Sequence, residues 1–325
     1  MKKHKIALAQ SLLRQNFITE RQFSAIEDFH HKDFFSVRTE LLSLMYIAVL
    51  MIASASGVLI YQNIDSVGHM VLIALIGVAA VICIYISFKR SRSFSYVQTS
   101  FENPIYDYLV LLGTLLTCSL IGYLQFQYNA FGQNLSLATL IASIVSFGLA
   151  YYFDNRASLS IAVTSLAAFV GITITPKAVI ENNVYLDESL TFYGLALSVI
   201  LLLAAYFSVE KSIKSHFAII YVSFAMHLAG ICAIIGMFEP TWIIVILIFA
   251  AISWVNNKFS YQLKSVTIFA FNIIYSGIIL TIALTKLFEH APEILMFLLI
   301  YATPVYFAGL IYVLTISILK FKKQL

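Results

Sequence analysis

From Leu41 to Tyr61 the chain reads LLSLMYIAVLMIASASGVLIY, twenty-one residues without an Asp, Glu, Lys or Arg. A helix packed on a soluble core keeps one polar face, whereas a helix of about 20 apolar residues matches the roughly 30 Å hydrocarbon layer of a bilayer. The window therefore predicts a membrane span, and it does not stand alone. Of the 325 residues, 61% are apolar and 11% are charged, against about 25% charged in ordinary soluble domains.

Ten such windows follow from the polar and proline-containing breaks: 41–61, 69–88, 107–127, 135–153, 157–175, 191–209, 216–238, 241–256, 265–287 and 294–319. The eighth is the shortest, and the pair on either side of Asp154, Asn155 and Arg156 is separated by very few residues. The fold class predicted is all-α, a polytopic transmembrane bundle of about ten spans over residues 41–325. A cytoplasmic amphipathic helical hairpin over residues 1–40 precedes it.

Charge gives an independent check on the threading, because Lys and Arg are retained on the cytoplasmic side. With a cytoplasmic amino terminus and ten spans, only Lys177 and Lys286 of the twenty basic residues fall outside. Adding or removing an early span would destroy that bias. The distribution predicts a membrane protein with both termini cytoplasmic, its basic residues marking sidedness and implying no nucleic acid. The first apolar run has full span length and charge precedes it to Glu40, so the start reads as a signal anchor.

Local signals place the ends of elements. Asn103 followed by Pro104 suits a helix N-cap and first position. Tyr61, Tyr106, Tyr128, Tyr151, Tyr152 and Trp242 lie near span boundaries, as an interfacial aromatic belt does. Ala53 and Gly57, four residues apart, read as a small-residue packing face. In the amino-terminal segment NFITERQF, Thr19 and Gln22 have the spacing of a capping box, so a helix restarts near Glu20. Phe23, Ile26, Phe34, Val37 and Leu41 then recur near one helical stripe. Phe23, Ile26 and Phe34 are the residues through which the hairpin would dock a protein partner, while its basic faces would suit anionic membrane lipid.

A short helix, a turn of the form hydrophobic-Thr-Glu-x-Gln, a second helix and a polytopic region together resemble the bacterial membrane proteins carrying domain of unknown function 2157. The resemblance continues through YIAVLMIASASGVLIYQNIDSVGH (46–69) and FDNRASLSIAVTSLAAFVG (153–171), covering about the first half of the chain. Asn16 stands where that turn has glycine, and the loop QNIDSVG after the first span lacks the tryptophan expected there. The resemblance implies a multi-pass bacterial membrane protein of unassigned activity and transfers no functional residues.

Ionisable groups at bilayer depth are expensive and default to function. No Asp, Glu, Lys or Arg lies near the centre of any span, which leaves His227 as the ionisable side chain at mid-depth and Asn272 as a second polar group. Each reads first as an interhelical packing group and alternatively as part of a polar site. Pro304 is expected to kink the last span and free a carbonyl, a device transporters use. DFHHKD (28–33) and EHAPE (289–293) lack zinc-ligand spacing, and no Walker loop, GxSxG elbow or GxGxxG turn is present. Cys83, Cys118 and Cys232 lie inside spans and predict no disulfide framework.

No metal or cofactor is expected, and two functional classes remain. One is a non-enzymatic membrane protein with a scaffold, assembly or regulatory role. The other is a secondary transporter of a small molecule, since five plus five spans give halves of opposite orientation, the condition for an inverted repeat.

Overall fold

The computed structural model describes residues 10, 12–13, 15, 17–24, 38–62, 68–132, 134–174, 188–288 and 293–324. Ten long helices run through these residues: α1 (Arg38–Gln62), α2 (His69–Arg90), α3 (Ile105–Tyr128), α4 (Leu135–Phe153), α5 (Arg156–Ile174), α6 (Glu188–Glu210), α7 (Ala218–Gly236), α8 (Trp242–Gln262), α9 (Val266–Phe288) and α10 (Glu293–Gln324). Each contains a stretch long and apolar enough to cross a membrane, and the described residues include no strand. The chain divides into two units, Met1–Met51 and Ile52–Leu325.

In the first unit the expected capping box forms. The Thr19 N–H donates to Gln22 Oε1 at 2.9 Å, the Gln22 N–H donates to Thr19 Oγ1 at 3.4 Å, and residues 20–24 are helical. Phe23 is half-buried; Ile26, Phe34 and the 28–33 segment lie outside the described residues.

In the second unit α7 is the most enclosed helix, packed against α5, α6, α8 and α9. Its composition explains the position. Ala218, Val222, Ala225, Ala229 and Ala233 lie along one face and are fully buried. Lipid tails are as apolar as leucine, so spans associate through close backbone approach and hydrogen bonds rather than through exclusion of water. Gly230 lies under the Tyr275 ring, Gly236 meets Thr191 and Val245, and Gly194 meets Cys232. A Cβ at Gly57 would meet nothing within 4 Å among the described residues, so the packing expected there is not made by them. The close approaches fall where neighbouring helices lie on both sides of the glycine-bearing helix.

The α4–α5 hairpin turns in two residues. Asp154 takes a left-handed conformation, φ 59°, that ends α4, and Asn155 begins α5 by accepting the Ser158 N–H at 2.8 Å. Between the helices the Ser143 hydroxyl donates to the Ala162 carbonyl at 2.8 Å. At α3, Asn103 Oδ1 accepts the Ile105 N–H at 3.0 Å, and Pro104, with helical dihedrals, takes the N-cap position one residue later than the sequence places it.

Two ends move by several residues, α10 running to Gln324 rather than 319. The eighth span continues to Gln262 instead of stopping at 256, so it has 21 residues and is not the shortest. Asn256 is buried within the bundle, and Lys258 lays its ammonium 3.5 Å from the centre of the Trp254 ring. These polar residues are therefore accommodated inside a helix that a hydropathy reading ends early.

Candidate functional site

The groups singled out at depth are placed as follows. His227 on α7 contacts α9 twice: its Nδ1 lies 3.1 Å from the Tyr275 hydroxyl, and its ring meets Phe271 edge-on at 4.8 Å between centroids. Asn272, one residue along α9 from Phe271, presents a neighbouring face to α8 and donates from Nδ2 to the Ser253 carbonyl at 3.0 Å. The two are thus at one level of α9 but are not joined. Pro304 lies on an exposed face of α10, and the helix continues through it without interruption. That helix is fastened elsewhere: the Tyr306 and Thr281 hydroxyls are 2.9 Å apart, and Phe321, 1% exposed, stacks on Phe269 at 4.2 Å.

A buried ionic cluster, by contrast, escapes a span-by-span reading. Asp154, at the α4–α5 turn, is reached from two other connections. From 91–104, Thr99 donates both its backbone N–H and its hydroxyl to Asp154 Oδ2. From the connection after α6, Lys214 Nζ lies 3.2 Å from Oδ2, and His216 Nε2 is bonded to Oδ1. The Lys214 contact is an ion pair without hydrogen-bond alignment. The side chains of Lys214 and Asp154 are wholly buried and that of His216 is 9% exposed.

The backbone explains how a lysine comes to be buried in a connection. Ser212 and Lys214 both have positive φ, which turns the chain inward after α6. The Lys214 N–H donates to the Tyr96 carbonyl at 2.8 Å, and the Ser208 hydroxyl contacts the carbonyls of Ile213 and Lys214. The ammonium lies 5.5 Å from the Phe94 ring centre. Asn155 adds a tie to α3 by donating to the Asp107 carbonyl at 3.0 Å. Just inside the bundle, the Tyr151 and Tyr221 hydroxyls meet at 2.8 Å, so Tyr151 turns toward α7 rather than serving only as a boundary anchor.

This geometry stitches together the α2–α3, α4–α5 and α6–α7 connections. Alternating spans place those three on the same side, and parity was the sequence signal by which the cluster could have been found. The opposite ends of α2 and α3 carry a smaller polar group, with His69 bonded to Tyr123 at 2.6 Å through Nδ1 and to Gln127 at 3.1 Å through Nε2.

An apolar cavity of about 260 Å³ is lined by residues including Ile52, Leu72, Ile76, Cys83, Leu112 and Leu116. Its hydroxyl-bearing residue, Ser56, donates to its own helix at the Ile52 carbonyl. Ligand pockets combine an apolar lining with a few directed polar groups, and this cavity has the apolar lining without them. Among the described residues no group of three or more His, Cys, Asp or Glu side chains is placed to hold a metal. The 289–292 segment lies outside the described residues.

Ten apolar helices joined by short polar connections define a multi-pass membrane protein. Over residues 10–159 the chain matches the family described as predicted membrane protein (DUF2157), the family its amino-terminal half resembles. No curated protein matches the chain. No solved structure matches it either.

Proposed function

We propose that this chain is a non-enzymatic multi-pass protein of the bacterial inner membrane, with both termini cytoplasmic and a scaffold, assembly or regulatory role. The observation that carries the reading is the placement of its charged side chains. Membrane catalysts and coupled transporters keep ionisable groups at depth for substrate or ion. Here the buried charges Asp154 and Lys214 sit at the end of the bundle and are spent on joining three connections. The mid-depth His227 is held between Tyr275 and Phe271. The eighteen basic residues on the Lys214 side favour a cytoplasmic location for that end. Partners of this reading are the membrane lipid and a protein engaged through the amino-terminal hairpin.

The test is thiol accessibility at position 227. His227→Cys is placed in a background lacking Cys83, Cys118 and Cys232, and an impermeant reagent is applied from each side in turn. The reading expects no labelling from either side in a folded protein. Labelling that switches sides with conditions would establish a hydrated, gated route and replace this reading with transport.

A further inference from the structure

Helix α8 carries a polar stripe where a membrane span ordinarily carries apolar side chains. Ser253, Asn256, Asn257 and Ser260 recur at the i, i+3, i+4, i+7 spacing of one helical face. Asn256 is 1% exposed and Ser260 is fully buried. Helix α9 answers with Asn272, 3% exposed, and Ser276 one turn further on.

Three contacts fix the antiparallel register. The Ser253 and Ser276 hydroxyls are 3.2 Å apart, Asn272 donates to the Ser253 carbonyl, and at the connecting turn the Ser265 N–H donates to the Ser260 carbonyl at 3.0 Å. That register sets Asn256 opposite the turn of α9 that holds Asn272.

The side-chain oxygens of Asn256, Asn257 and Asn272 are all shut off from solvent and accept no hydrogen bond from the described residues. Exchanging the amide O and N of Asn272 does not help, because its nitrogen already donates to the Ser253 carbonyl. An unmet carbonyl costs free energy in a water-free interior, and most buried acceptors are satisfied. Three of them, two on the α8 stripe and one on the α9 turn opposite it, point to a guest that supplies positive charge or donors.

The charge of that guest follows from its surroundings. Neither the α8 stripe nor the facing residues of α9 include an Asp or Glu, and the neighbouring Lys258 turns away onto Trp254. Magnesium and calcium sites in proteins rely on carboxylates, whereas rings of neutral carbonyl oxygens hold potassium in channel filters. The Ser276 and Ser260 hydroxyls direct their protons to the carbonyls of Asn272 and Asn257, which leaves oxygen lone pairs available. We infer that the α8–α9 seam binds a small monovalent cation, sodium or potassium, through the amide oxygens of Asn256 and Asn272. Asn257 and the seam hydroxyls complete the oxygen set, and the ion clamps α8 to α9. The inference stands apart from the scaffold reading, since a clamp of this kind serves any function of the bundle.

The test uses the full chain purified in detergent and exchanged into choline chloride. Thermal unfolding is followed in choline, sodium and potassium chloride at matched ionic strength. The expected result is a midpoint that rises with sodium or potassium but not with choline, by about 2 °C or more per tenfold increase beyond half-saturation. Asn256→Ala and Asn272→Ala should abolish the cation-dependent rise, and the milder Ser276→Ala should shift it to higher concentration. Equal midpoints in the three salts would overturn the inference and assign the amides to water. A rise that survives in the variants would overturn it by placing the ion elsewhere. Should the asparagine variants fail to fold, the wild-type comparison and Ser276→Ala decide.

Discussion

Asp154 and Lys214 stand 3.2 Å apart with neither side chain exposed, although they belong to different connections sixty residues apart in sequence. Removing one member of a buried pair leaves an uncompensated charge, which costs about 3–5 kcal/mol, whereas replacing both by apolar groups is often close to neutral. Asp154→Asn keeps the backbone while it removes the charge and alters the Thr99 and His216 contacts, because Asn tolerates the left-handed conformation that position 154 requires. Equilibrium unfolding in micelles should show Asp154→Asn and Lys214→Met each strongly destabilised. The double variant Asp154→Asn/Lys214→Met should recover part of the loss, with a coupling of about 1–3 kcal/mol. Additive losses would show that the pair contributes no mutual stabilisation.

Glycines in this chain separate into two kinds. A Cβ at Gly230 would come within 2.5–2.7 Å of the Tyr275 ring, which also holds His227. Gly230→Ala is expected to cost about 1–3 kcal/mol as overpacking and to make position 227 more reactive in the thiol assay. Gly57→Ala meets no neighbour among the described residues, and removing a mid-helix glycine should be neutral or stabilising by up to about 1 kcal/mol. Comparing the two midpoints in one detergent checks both expectations.

Helix α10 depends on its last turns. Phe321 stacks on Phe269 and meets Tyr261 at 4.7 Å. Phe321→Ala should cost about 3–5 kcal/mol and render the end of α10 sensitive to limited proteolysis. Tyr306→Phe removes a single hydroxyl contact with Thr281, and interhelical hydrogen bonds in membranes average about 0.6 kcal/mol. Equal proteolysis of the two variants would contradict this ranking.

The Thr19–Gln22 box makes a local prediction. Thr19→Ala removes the side-chain acceptor of the Gln22 N–H and should weaken the helix start by about 1 kcal/mol. Hydrogen exchange is the suitable measurement. Amides 22–24 should exchange several-fold faster in the variant while those of α7 remain unchanged; an unchanged rate at Gln22 would mean that the cap contributes nothing there.

How much of this was legible before the fold was known follows from the distance over which each signal acts. The Thr19 box and the Asn103–Pro104 start are decided within four residues, so sequence locates them directly. Charge-free windows are likewise local, and the ten helices fall close to the windows read from them. The eighth boundary fails for two reasons: Asn256, Asn257 and Lys258 look like a polar break until α9 supplies a partner face, which is tertiary, and until the Trp254 ring one turn back takes the lysine, a local contact that a hydropathy count does not register. Gly57 illustrates the converse error, since a small residue signals that close contact is allowed without saying that a neighbour arrives.

The sequence by itself determined that the chain is a membrane protein, the ten apolar helices of its described residues and which connections share a side, because a helix crossing hydrocarbon is largely apolar and of a set length and each span reverses direction. Only the tertiary structure decided which side chains within those constraints meet. It brought Thr99, Asp154, Lys214 and His216 together, although each in isolation reads as a solvated loop residue. It also set the polar stripe of α8 against Asn272 and Ser276. Such contacts depend on helix rotation and on neighbours distant in sequence, so no single window of residues contains the information that makes them.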